Sequence, residues 1–259
     1  MKDYRIIDLT PDNISEYGVC GYKDVKKHVE LQKKIDWFSK YYSKGIRIKA
    51  IITQTGSYQG MLEYIPGKYA NRPVNAENYM FIHCLFVGFK SEYKGKGFAS
   101  ALLDECVDES KKSNFDGVAV VTRKGSFMAN SNIFLKKGFE IVDSAKPDFE
   151  LLVLKFKDSS TNPKFRISED SLKLYKDGLT IMRSAQCPYT EKNVNSIIET
   201  SRKKFGIEPN LIDLTTHTLV QNSPCAFGCF CIIHNGIIIS HHPISNTRFE
   251  NIMKKLKNE

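Results

Sequence analysis

The sequence predicts a two-domain α+β protein. A mixed, mostly antiparallel sheet flanked by helices is expected over residues 1–156, a polar linker over 157–168, and a smaller α/β domain over 169–259. Three observations carry that reading. Runs that alternate or are continuously apolar, such as "IRIKAIIT" and "NYMFIHCLFV", are interleaved with stretches of helical period. At 259 residues the chain is long enough to bury two cores. The stretch "KDSSTNPKFRIS" is polar, contains a proline and has no period, as a linker should.

Residues 4–9, "YRIIDL", read as a short strand. From Asp24 to Tyr42, the residues Val25, Val29, Gln32, Ile35, Phe38 and Tyr42 fall near helical spacing, with Gly45 as the stop. "IRIKAIIT" and "YQGMLEYI" are two alternating strands joined by the turn residues "QTGS", and "NYMFIHCLFV" is a central strand. A helix follows, in which Ala99, Leu102, Leu103, Cys106 and Val107 make the apolar stripe. Next come a buried strand "GVAVVT", a short helix from Ser131 to Lys137 stopped by Gly138, and a last strand "FELLVLKF". Beyond the linker, "GLTIMRSAQ" is strand-like, and a helix carries Val194, Ile197, Ile198, Ser201 and Phe205 inward with Gly206 as its stop. "PNLIDL", then "FCIIH" and "IIISH" around Asn235-Gly236, are strands, and a closing helix presents Phe249, Ile252, Met253 and Leu256.

Composition narrows the function classes. A net charge of +9 is spread along the whole chain, often on helix faces as in "KDVKKHVELQKK". Without zinc-finger spacing, an RNP-like aromatic motif or an Arg-rich arm, a nucleic-acid partner is not expected, while an anionic ligand stays open. Charged residues at the N-terminus and short apolar runs argue against a signal peptide or a membrane partner. Seven cysteines, an odd number, argue for reduced thiols and a cytoplasmic location.

The stretch "SEYKGKGFASALLDECVDESKK" at 91–112 holds the clearest chemistry. A glycine-bearing loop between strand and helix leaves the first-turn amides free, and the helix dipole adds partial positive charge. Gly95 and Gly97 allow close approach of a phosphate, and Lys94 and Lys96 add charge. A pyrophosphate suits this corner, although such turns also serve helix–sheet packing.

The order around that corner, with "LFV" closing a central strand, "YKGKGFASALL", "VAVVT" and "NIFLKKGFEIV", resembles the GNAT family of acyl-CoA-dependent N-acetyltransferases over residues 1–156. The resemblance implies acetyl-CoA as co-substrate, with its pyrophosphate on the amides around Lys94, Gly95, Lys96, Gly97, Phe98 and Ala99. It also implies a pantetheine arm along the backbone of Leu85, Phe86 and Val87. Two positions depart from the family pattern: Glu92 stands where Arg or Gln is usual, and Phe134 where many members carry a Tyr that protonates the leaving thiolate.

Attack of a neutral amine on a thioester benefits from a base and from stabilisation of the oxyanion. His83, which simple alternation puts on the strand face of Leu85, is the first candidate base, since imidazole titrates near about 6.5. Glu63 and Tyr79 are further catalytic candidates on neighbouring strands.

The strand-helix-strand-strand-strand-helix order of residues 169–259 resembles the thioredoxin-like fold, and "CPYT" at 187–190 resembles a glutaredoxin active site whose second Cys is Thr190. The combination resembles the YoaP-type acetyltransferases. A thiol placed just before a helix start favours its thiolate, so Cys187 is a redox candidate, and the loop at Ser223-Pro224 is expected to bring Cys225 to it. No metal is assigned, because "CAFGCFC" and the histidines at 217, 234, 241 and 242 lack a standard zinc spacing.

The function expected is therefore transfer of an acetyl group from acetyl-CoA to a primary amine on a small molecule or peptide, by direct attack in a ternary complex. Two alternatives stay open: a non-catalytic acyl-CoA-binding regulator, and a monothiol glutaredoxin-like oxidoreductase acting through Cys187. A homodimer stays open as well.

Overall fold

Residues 4–88, Tyr93 and 95–258 are described by a computed structural model of the chain. Two compact units are present, one comprising the chain up to Ala70 with Val74–Phe165, the other Asn71–Pro73 with Arg166–Glu259.

The first unit is built on a seven-stranded sheet of order β1-β2-β3-β5-β6-β8-β7. Its strands are β1 (Tyr4–Leu9), β2 (Arg47–Thr53), β3 (Tyr58–Pro66), β5 (Tyr79–Val87), β6 (Gly117–Arg123), β7 (Glu140–Ala145) and β8 (Phe149–Lys155). Every neighbouring pair is antiparallel except β5 and β6. The two-residue strands β4 (Val74–Asn75) and β9 (Lys164–Phe165) pair separately. Residues 164–165 thus form structure inside a stretch with no sequence period.

Helices α1 (Ile14–Tyr17), α2 (Val29–Tyr42), α3 (Phe98–Lys112) and α4 (Asn132–Leu135) flank the sheet. Leu102, Leu103 and Cys106 of α3 pack with Leu62, Tyr64, Ile82, Val120, Phe134 and Leu152 into one core. Since Leu62 and Tyr64 of β3 enter that core, Glu63 between them points to the opposite face, toward α2.

Two elements differ from the expectation. The second helix starts at Val29 rather than Asp24, because Asp24 closes a turn in which its carbonyl accepts from the Lys27 and His28 amides and its carboxylate from the Lys26 amide. Its buried face is Leu31, Lys34, Ile35, Trp37, Phe38 and Tyr41, while Val29 is 65% exposed. The unexpected β7 is an edge strand carrying Glu140, Asp143 and Ser144, so neither alternation nor apolarity announces it.

The second unit has a four-stranded sheet of order β11-β10-β12-β13. Strand β10 (Leu179–Arg183) is parallel to β11 (Asn210–Asp213) and antiparallel to β12 (Phe230–His234), which forms a hairpin with β13 (Ile237–Ser240). That hairpin turns at Asn235 and Gly236, both with positive φ (+48° and +78°), as a two-residue turn of this hand requires. Helix α5 (Val194–Thr200) is extended by a π-type turn to Phe205 and ends at Gly206, φ +68°. Helix α6 (His217–Gln221), capped by the Thr216 hydroxyl, occupies the connection before Pro224. Helix α7 (Asn246–Asn258) buries Phe249 and Met253. Arg72 is buried in this unit, donating to the Asn71 carbonyl (2.6 Å) and to Gln186 Oε1 (3.2 Å). Among the described residues no helix is long and apolar enough to cross a membrane.

Leu102 is wholly buried between α3 and the sheet. Leu102→Ala is expected to lower the unfolding free energy by about 2–5 kcal/mol, read from the urea midpoint at unchanged slope.

Candidate active site

Strands β5 and β6 pair only from Tyr79↔Gly117 to Ile82↔Val120. Beyond that point β5 continues to Val87 and β6 to Arg123 without pairing to each other, while β5 stays paired with β3 as far as Gly60↔Val87. The separation begins at a bulge: Tyr64 faces Ile82 and Glu63 faces Cys84, so His83 is an extra residue with no partner on β3. A bulge adds local twist and bends its strand, which is a physical reason for the two strands to part there. The cleft that opens is lined by His83, Cys84, Leu85, Val121, Met128 and Phe134 among others. The backbone edge of β5 that faces it has lost its ladder partner, so it can pair with an extended ligand rich in amides.

Helix α3 joins the parallel strands β5 and β6, and therefore starts at the end of the sheet where they part. Gly97 is its N-cap at φ +76°, Gly95 has φ +73°, and among the described residues no side chain caps the helix. A Cβ at either glycine would meet nothing within 4 Å. The glycines are required by conformation, and neither puts a side chain over the amides of the first turn, which have no partner within the helix. Phe98 anchors this turn through Tyr4 (ring centroids 4.8 Å, edge-on) and Tyr93 (6.1 Å, stacked). Lys96 reaches over the Tyr93 ring at 5.9 Å. Lys94 and Glu92 lie outside the described residues.

The opposite face of the bulge holds three ionisable side chains in a row. Lys34 of α2 donates to Glu63 Oε2, and His83 Nδ1 lies 3.1 Å from Glu63 Oε1. Lys34 and Glu63 are fully buried and His83 nearly so. The Lys34 ammonium sits 4.2 Å over the Trp37 ring, and Trp37 and Phe81 flank His83 at 6.0 and 5.8 Å. Burial alone would raise the Glu63 carboxyl. The Lys34 charge, together with hydrogen bonds from His83 and Lys34, outweighs that effect and holds it at about 2. With Glu63 ionised, a neutral ring bonded to it carries its proton on Nδ1, which leaves Nε2 as an acceptor.

The expectation that His83 shares a face with Leu85 is corrected by the bulge. Leu85 packs with the α3 core, whereas His83 contacts Trp37, Phe81 and Glu63. Glu63 is brought to His83 as an ionised partner. Tyr79 is not brought there: it lies at the paired end of β5, about 13 Å from His83 along the strand, and its hydroxyl donates to the Thr161 carbonyl (3.0 Å). Burial, then Asp116, raises its pKa. Phe134 is buried edge-on against Phe139 (5.4 Å) at the cleft wall. Lys34 and Trp37 were not singled out in the sequence. The signal for Lys34 was there, since it falls at i+3 from Leu31, inside the stripe that continues through Ile35 and Phe38.

In the second unit Cys187 precedes the short 3₁₀ turn Pro188–Thr190, and α5 begins only at Val194. Its sulfur is therefore not placed at an α-helix start, contrary to expectation. Thr190 donates to the carbonyls of Ser184 and Cys187 (2.8 Å each). Cys225 is buried, with its sulfur 3.3 Å from His241 Nδ1.

Residues 210–251 match the YoaP-like family model. That segment runs from β11 into α7 and contains Cys225, Cys229, Cys231 and His241. Over 253 residues the chain is 28% identical to the uncharacterized N-acetyltransferase YoaP of Bacillus subtilis strain 168, covering 96% of this chain and 98% of that protein. Similar solved structures include the PaiA N-acetyltransferase of Thermoplasma acidophilum in complex with coenzyme A. It is 16% identical, covering 59% of this chain and 99% of that one, with a TM-score of 0.42. Another is the GNAT family N-acetyltransferase YhbS of Escherichia coli in complex with CoA, 13% identical over 63% of this chain and 89% of that one, TM-score 0.40.

The buried pair sets a pH test. Glu63 titrates lower folded, at about 2, than its ordinary 4.5, so its stabilisation is full above pH 4.5 and is lost as pH falls toward 2. Glu63→Gln is expected to lose about 3–5 kcal/mol at pH 7, because Lys34 is left buried and uncompensated. Lys34→Met with Glu63→Gln should recover part of that loss. Both variants should show a shallower decline in stability below pH 4.5 than the parent, by urea titration at each pH.

Proposed function

We propose that this chain is an N-acetyltransferase that moves an acetyl group from acetyl-CoA to a primary amine by direct attack in a ternary complex. One arrangement carries the reading: the parting of β5 from β6, the glycine-cornered start of α3 at the same end, and a histidine held by Glu63 through Nδ1 at the point of parting. The curated relative is named as an N-acetyltransferase, which supports the same class.

In this reading the coenzyme pyrophosphate lies on the corner formed by Lys94, Gly95, Lys96, Gly97, Phe98 and Ala99. The pantetheine arm runs along the part of β5 that is not paired with β6, at Leu85, Phe86 and Val87. His83 takes the proton of the attacking ammonium or amine at Nε2, and Glu63 holds its ring. Lys34 keeps Glu63 ionised. Since Phe134 carries no proton, the proton taken by His83 is the one that the departing thiolate needs, and one group serves both steps. Much of the rate enhancement then rests on proximity of amine and thioester.

The acceptor is a small-molecule or peptide amine. Residues 1–156 form the acetyltransferase domain and 169–259 a thioredoxin-like accessory domain, a reading supported by the parallel β10–β11 pair followed by the β12–β13 hairpin. The seven free cysteines suit the cytoplasm.

Release of free CoA from acetyl-CoA across a panel of amines tests the assignment. His83→Gln should lower kcat about 10²-fold or more with acetyl-CoA affinity nearly unchanged. Tyr79→Phe should stay within about twofold, since its hydroxyl lies at the far end of the strand. Gly97→Asp should abolish calorimetric binding of acetyl-CoA in a folded protein, because its carboxylate would repel the pyrophosphate. Acetyl-CoA binding without CoA release for any amine would instead favour the regulator reading, to which Phe134 lends support.

A further inference from the structure

The second unit holds a cysteine cluster that acyl transfer does not use. A turn from Cys225 to Gly228, closed by the Gly228 amide donating to the Cys225 carbonyl (2.8 Å) with Gly228 at φ +76°, reverses the chain just before β12. Cys225 is thereby laid against that strand. Cys231 on β12 faces Met182 of β10 on one side. On the other, the Ile232↔Ser240 register puts His241 level with Cys231. His241 Nδ1 lies 3.3 Å from Cys225 Sγ, and the Cys225 thiol can also donate to the His241 carbonyl at 3.7 Å. Cys231 and the Phe227 amide are further polar neighbours of the Cys225 sulfur.

These neighbours treat the two sulfurs oppositely. Burial disfavours a thiolate at Cys225, but hydrogen bonds from Cys231 and His241, the His241 charge and the Phe227 amide outweigh it and bring its pKa below the ordinary thiol value. The same bond to Cys225, with burial, pushes Cys231 up and keeps it a thiol. An activated sulfur beside a protonated one is the arrangement of an attacking and a resolving cysteine. At the "CPYT" turn the Thr190 hydroxyl donates to the carbonyls of Ser184 and Cys187. Among the described residues no group of three or more His, Cys, Asp or Glu is arranged to hold a metal ion.

We propose that Cys225 and Cys231 are a redox-active dithiol, with His241 as proton donor, which small hydroperoxides oxidise to an intramolecular disulfide. The Cys225 thiolate attacks one peroxide oxygen: an S–O bond forms, the O–O bond breaks, and the leaving alkoxide takes a proton from His241 or water. The Cys231 sulfur then displaces hydroxide from the sulfenic acid, forming the S–S bond, and water leaves with the Cys231 proton. Two thiols lose two electrons, and the peroxide gains them. An external thiol returns the pair to its reduced form. Cys225 is 1% exposed, which selects a small oxidant over a protein disulfide.

The test uses the full-length chain titrated with about one equivalent of hydrogen peroxide, alkylated and mapped by peptide mass. The first disulfide should join Cys225 to Cys231. Cys231→Ser should stop at a Cys225 sulfenic acid that a 1,3-diketone probe traps, and His241→Gln should slow Cys225 oxidation about tenfold or more. Linkage of Cys225 to Cys187 or Cys229, or oxidation of Cys187 before Cys225, overturns the proposal. The parent map needs no variant, so a misfolded variant leaves the test intact, and no acetyl transfer is read, so this proposal and the acetyltransferase reading fail independently.

Discussion

A strand has a side-chain period of two, so one extra residue exchanges its faces from that point on. In β5 that residue is His83. Upstream of it, Met80 and Ile82 enter the α3 core; downstream, Leu85 and Val87 regain that core only because the bulge absorbs the added residue. The same irregularity coincides with the last β5–β6 pair. The cleft, the end of the β5–β6 pairing and the orientation of the histidine thus have one origin, and α3 must begin beside them because it connects the two parting strands.

Placing ions in the core against β3 has a cost that their attraction only partly offsets. The Lys34–Glu63 pair is therefore better understood as an orienting device than as a source of stability. A carboxylate that stays ionised through the neutral range keeps the His83 ring in one tautomer, and Trp37 and Phe81 keep it in one plane. Glu63 is unsuited to taking a proton from substrate, because it is held ionised, with its pKa at about 2, and its two oxygens are engaged by Lys34 and His83.

The second unit distributes its cysteines unevenly. Cys187 occupies the position made conspicuous by the "CPYT" motif, yet the turn after it is too short and the α-helix too distant for a dipole to act on its sulfur. Cys225, in a segment that has no such motif, has its sulfur 3.3 Å from the His241 imidazole, with Cys231 and the Phe227 amide as further polar neighbours. The turn before β12 that carries Cys225 lies within the stretch that matches the YoaP-like family.

The sequence by itself determined the elements whose residues announce their own period or punctuation. The strands at 47–53, 58–66 and 79–87 and the helix at 98–112 are there because alternation and the i, i+3, i+4 stripe are local properties. So is the glycine corner, because positive φ at Gly95 and Gly97 is a requirement a short segment displays. Tertiary structure alone decided whatever depends on a partner far along the chain. Lys34 in an apolar stripe makes sense only once Glu63, 29 residues away, is beside it. His83 and Leu85 fall on opposite faces through a mismatch between β5 and β3 that neither strand shows alone. Polar β7 is a strand only because β8 offers it an edge, and Cys225 meets His241 only when the β12–β13 register is set. A residue's own neighbours decide its backbone, but the charge, hydrogen bonds and burial that turn a side chain into a chemical group come from segments the fold brings to it.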